Sequence, residues 1–65
     1  MNISKQKIEL LQAEQNLTAR AFAERAGISR QSISTIKQRG TCNPVNAAKL
    51  AEALGVSVAQ IAEGV

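Results

Sequence analysis

The feature that most constrains this chain is its punctuation. Three times a glycine is followed within three residues by a good helix-capping side chain: Gly27 by Ser29, Gly40 by Asn43, and Gly55 by Ser57. Glycine ends a helix cheaply because it accepts positive φ. Ser or Asn then starts the next helix by accepting a free backbone N–H. Asn43 is followed by Pro44, whose missing N–H costs nothing at a first helical position. Thr18 is a further cap, and Ser57 to Gln60 has the spacing of a capping box. Only short helices fit between such marks.

Apolar residues at helical spacing fill the intervals. A first helix is predicted from about Asn2 to Glu14, with Ile8 and Leu11 inward. The second runs over Ala19–Ala26 with Phe22, Ala23 and Ala26 buried, and the third from Arg30 to about Gln38 on Ile33 and Ile36. Ala47, Leu50, Ala51 and Leu54 give the fourth its inner face, and a fifth opens at Ser57 and ends near Gly64. No repeat, linker or strand pattern interrupts this order. The expected fold is all-α, one compact five-helix domain over residues 1–65.

Composition removes several functions. Phe22 is the only aromatic residue, whereas proteins that grip single strands or splayed RNA bases usually offer several stacking rings. Cys42 is the only cysteine and there is no histidine, so neither an internal disulfide nor a zinc site is expected. No cofactor and no small-molecule ligand is implied. No apolar run approaches the roughly 20 residues of a membrane span. A lone thiol without a signal-peptide pattern points to the cytoplasm. Catalysis lacks its materials: there is no His or Asp, no paired carboxylates on one helix face, and no base to activate Cys42.

Charge is uneven. Residues 1–40 hold seven of the eight cationic side chains but only three of the five carboxylates. A basic front part points mildly to a polyanion, although a solvated surface looks the same.

The second and third helices are joined by "GIS", a turn opening on Gly27. Two helices joined in this way make a helix-turn-helix, whose second helix lies in a DNA major groove. Ala23 must be small where the third helix crosses, Ile28 plugs the corner, and Ile33 with Ile36 anchors the third helix. Its other face is then left outward: Arg30, Gln31, Ser34, Thr35 and Gln38.

The set Phe22, Ala23, Ala26, Gly27, Ile28, Ile33 and Ile36 resembles the core of the lambdoid phage repressor and Cro family, the XRE type of DNA-binding regulator. "LTARAFAERAGISRQSISTIKQRG" looks like that family's two-helix unit, about residues 18–38, and "NPVNAAKLAEALGVSVAQI" is similar to its last two helices. The resemblance implies that the first, second and sixth residues of the third helix read bases: Arg30, Gln31 and Thr35, with the shorter Ser34 beside them. Arg suits guanine and Gln suits adenine in bidentate pairs. Phosphate contacts are expected to flank them at Thr18, Arg20, Ser29, Lys37, Arg39, Thr41 and Asn43, the last also a cap. Departures are Ala19 and Ala21, where many relatives carry Gln and an acid, and "KQRG" after the third helix, one residue longer than usual.

The expectation is a sequence-specific regulator of double-stranded DNA, a repressor in sign. It would act as a homodimer on an inverted repeat, through the last helix (Val58, Ile61, Val65) or the loop before the fourth, although core packing is the favoured role of Val58 and Ile61. The alternative from another class is a protein-interaction module, such as an antitoxin-like subunit. That reading requires exposed apolar area on the last helix and loss of the basic, groove-facing surface.

Overall fold

The computed structural model describes residues 1–63. It contains four α-helices: α1 (Lys5–Glu14), α2 (Ala19–Ala26), α3 (Arg30–Arg39) and α4 (Pro44–Leu54). The five-helix expectation is thereby corrected to four. The fifth segment is a three-residue 3₁₀ turn, Val58–Gln60.

The reason lies in its backbone partners. Ser57 does donate its N–H to Gln60 Oε1, as a capping box requires. Beyond Gln60, however, the chain is drawn into extended pairing: the Ile61 carbonyl accepts from Ser4 N–H at 2.8 Å, and Glu63 N–H donates to the Asn2 carbonyl at 3.0 Å. Groups committed there cannot propagate a helix. The expected end near Gly64 falls outside the described residues.

The same pairing moves the start of α1. Asn2 and Ile3 are extended, bridging antiparallel to Thr41 and Ala62. The helix therefore begins after Ser4, whose hydroxyl accepts Lys7 N–H at 3.2 Å. Ile3 is buried in the core beside Ile8 and Ile61.

Each remaining boundary follows its marker. Thr18 Oγ1 accepts Ala21 N–H, Ser29 Oγ accepts Ser32 N–H, and Asn43 Oδ1 accepts Asn46 N–H. At the end of α2, Gly27 takes φ 68°, and Ile28 N–H reaches back to the Ala23 carbonyl at 3.2 Å. The end of α1 uses the same closure with Asn16 at φ 53°, and Leu17 N–H bonds the Gln12 carbonyl at 2.9 Å. Asparagine tolerates this left-handed conformation better than most side chains.

The core is aliphatic around Phe22. Phe22, Ile8, Leu50, Leu54 and Ile61 are its largest fully enclosed side chains. α2 lies between α3 and α4, and the 3₁₀ turn folds back on α4. Ile33 and Ile36 seat α3 in this core, which fixes the direction of its outer face. Truncating either to Ala would cost about 2–5 kcal/mol, comparable to the whole stability of a domain this small.

Candidate nucleic-acid interface

α3 spaces its side chains so that position 33 and position 36 point inward while Arg30, Gln31, Ser34, Thr35 and Gln38 stay exposed. Ser29 holds the start of the helix: its Oγ accepts Ser32 N–H at 3.1 Å and donates to Ser32 Oγ at 2.9 Å. Gly40 closes it at φ 73°. A short helix with both ends fastened and two isoleucines buried presents its outer residues from a stable platform.

Two hollows flank this face. The larger, about 790 Å³, is lined by Arg30, Gln31, Ser34, Lys37 and Gln38 of α3, by Lys5 and Glu9 of α1, and by Ala19 at the start of α2. The smaller, about 350 Å³, is lined by Gln31, Ser32, Thr35 and Ile36 with Asn46 of α4. Gln31 borders both. The four residues expected to read bases are thus brought onto one helix face but not into one hollow: Arg30 and Ser34 look toward α1, Thr35 toward α4.

Their side chains are not equally free. Among the described residues, no intramolecular hydrogen bond or ion pair engages the Arg30 or Gln31 side chain. Thr35 Oγ1 donates to the Gln31 carbonyl at 3.0 Å, which leaves the methyl group as the uncommitted part of an exposed side chain.

The residues expected at phosphates fall into three groups. Thr18, Ser29 and Asn43 are working helix caps. Capping occupies an oxygen of Thr18 and of Asn43, leaving the Thr18 hydroxyl proton and the Asn43 amide protons as donors. Arg20 pairs with Glu24 at 3.2 Å with both side chains well exposed, so solvent weakens the pair. Arg39 and Thr41 are exposed at the end of α3 and just beyond it.

Lys37 sits apart. Its Nζ donates to Gln12 Oε1 at 2.9 Å and stands 6.0 Å from the centre of the Phe22 ring.

Sequence reasoning missed Lys5 and Glu9 as walls of the larger hollow, and Asn46 as the wall of the smaller. Lys5, Glu9 and Gln12 repeat at helical spacing beside the buried Ile8 stripe, a polar edge that could have been read as facing α3. Asn46 offers no comparable signal; only the fold brings it to Gln31.

Cys42 is half-buried beneath the chain's first residues, where the Met1 ammonium donates to its carbonyl at 2.7 Å. Burial raises its thiol above the ordinary range, with the ammonium pulling the other way. Among the described residues, no three His, Cys, Asp or Glu side chains gather as metal ligands. No helix there is long and apolar enough to cross a membrane.

A family model described as helix-turn-helix matches residues 8–61. No curated protein and no solved structure matches the chain.

Proposed function

Since the chain belongs to the Cro/C1-type helix-turn-helix family of DNA-binding regulators, we propose that it is a sequence-specific repressor that reads the major groove with α3. The observation that carries this reading is the pairing of Arg30 and Gln31 at the start of α3. Both are exposed and uncommitted, on a helix whose opposite face is locked by Ile33 and Ile36. The two side chains are those that read guanine and adenine bidentately. Gln31 takes the central place, Arg30 and Ser34 reach toward one side, and the Thr35 methyl group meets a thymine methyl on the other.

Phosphates flank the helix. The Thr18 hydroxyl and the free N–H groups opening α2 hold one strand, helped by the helix dipole. Arg39, Thr41 and the Asn43 amide hold the other, with Arg20 and the backbone N–H of Ser29 nearer the edges. These contacts set orientation and affinity, and the base contacts set sequence.

The domain acts as a dimer on an inverted repeat. Its longest extent is 29 Å, less than the roughly 34 Å between half-sites one helical turn apart, so one domain cannot occupy both. Ile61 is wholly enclosed in the core and is not available to a partner. Contact through this end would rest on the half-buried Val58 and its outward neighbours; Val65 lies outside the described residues. The interaction-module alternative gains nothing here: among the described residues the exposed large apolar side chains are Met1, Leu10 and Val45, none in Val58–Ile61.

The test is selection from duplex DNA with a randomised centre, at two salt concentrations. Enrichment of one inverted-repeat sequence, lost with Gln31→Ala, supports the reading. Salt-sensitive binding without an enriched sequence reduces the function to phosphate contact. Absence of binding rejects it.

A further inference from the structure

We propose that Lys37 and Gln12 form a positioning tether that sets the angle of α3 against the corner between α1 and α2, a role that rests on the DNA-reading function above. The chain of bonds is short and continuous. Gln12 is held at Leu17 from two directions: its backbone carbonyl accepts Leu17 N–H at 2.9 Å, and its Nε2 donates to the Leu17 carbonyl at 3.3 Å. With the amide fixed in this way, Oε1 faces α3 and accepts Lys37 Nζ at 2.9 Å. The ammonium also lies near the Phe22 ring, 6.0 Å from its centre, at the long end of cation–π range.

The anchor point matters as much as the bond. Leu17 immediately precedes Thr18, the cap of α2, so the tether joins three things: the end of α1, the anion-binding start of α2, and the last turn of α3. Lys37 lies one turn beyond Ser34 on the wall of the larger hollow. Releasing it leaves that end of the helix held by Gly40 and Ile36 alone, without a side-chain link to the corner between α1 and α2. Fixing both ends holds Arg30 and Gln31 in register with the phosphates gripped at Thr18.

A phosphate cation and a tether make opposite forecasts, because a phosphate contact releases counterions and a tether does not. The experiment is a double-mutant cycle with Lys37→Met and Gln12→Leu, followed on two readouts. In urea unfolding without DNA, the two changes together cost less than the sum of the separate costs, which shows coupling. On the enriched duplex, each change alone lowers affinity relative to random duplex by roughly tenfold, and the dependence of log K on log salt keeps the wild-type slope. Gln12→Glu, which keeps an acceptor facing Lys37, retains more of that discrimination than Gln12→Leu.

Additive unfolding costs overturn the tether. So does a Lys37→Met slope shallower by about 0.9 with Gln12→Leu silent in binding. If the wild type binds no duplex, the DNA-reading function fails, and the unfolding cycle still decides whether the tether exists.

Discussion

The backbone N–H of Ile3 donates to the carbonyl of Gly40 at 2.9 Å, fastening the first extended residues to the glycine that ends α3. Ile3 is itself almost wholly buried. Its side chain therefore belongs to the same core as Ile33 and Ile36, although it lies outside every helix. Ile3→Val is expected to lower stability by about 0.5–1.5 kcal/mol, seen as a lower urea midpoint at constant m. Leu10→Ala, at a site 60% exposed, serves as the contrast and should stay within about 0.5 kcal/mol. Equal losses at both positions would place Ile3 outside the core.

Gly27 carries the sharpest conformational requirement in the two-helix unit. It sits at φ 68°, and an added Cβ there would meet nothing within 4 Å. The cost of Gly27→Ala is therefore purely that of the left-handed backbone, about 1–2 kcal/mol. Thermal or urea unfolding measures it directly. A neutral substitution would mean that the turn between α2 and α3 opens without penalty.

At the interface, Gln31→Ala should cost about 1–3 kcal/mol of discrimination at one base step while leaving the unfolding midpoint almost unchanged, because the side chain makes no intramolecular bond among the described residues. Competition between the enriched duplex and single-step variants of it locates that step. Arg39→Gln should instead weaken all sequences alike and make the salt slope shallower by about 0.9. If Arg39→Gln changed sequence preference and Gln31→Ala did not, the assigned roles would be exchanged.

Burial raises the Cys42 thiol in the folded chain, so at pH 8 its thiolate is scarcer than in the unfolded one. Iodoacetamide should modify the native protein more slowly than the protein in urea, the gap narrowing as pH climbs past the ordinary thiol value near ~8.5. The sign for stability follows: the neutral thiol favours the fold below its unfolded pKa, and that contribution disappears as pH rises through the folded one. Equal native and unfolded rates at pH 8 would contradict the burial.

Much of this architecture was legible because the chain marks its own boundaries. Thr18, Ser29 and Asn43 cap the helices that their positions announce, and the inward stripes of α2, α3 and α4 are buried as their spacing predicts. The misreadings share one cause, which is partners distant in sequence. The bond from Ser57 N–H to Gln60 Oε1 is local and present, yet pairing with Asn2 and Ser4 stops the helix after one turn. Ile3 stands at helical spacing from Lys7, but its backbone N–H is claimed by the Gly40 carbonyl. The bond from Lys37 to Gln12, 25 residues away, likewise leaves no trace in local spacing. Asn16 takes a left-handed φ at the closure of α1, a place that glycine usually signals.

In the proposed function the start of α3 meets base edges in the major groove. The most direct measurement replaces single purines of the enriched duplex by their 7-deaza analogues, which remove the N7 acceptor from the major groove and leave base pairing intact. At the step read by Gln31, a loss of roughly 1 kcal/mol or more is expected for the wild type and little further loss for Gln31→Ala, with salt slopes unchanged. Wild-type binding indifferent to 7-deaza substitution at every purine of the half-site would contradict it.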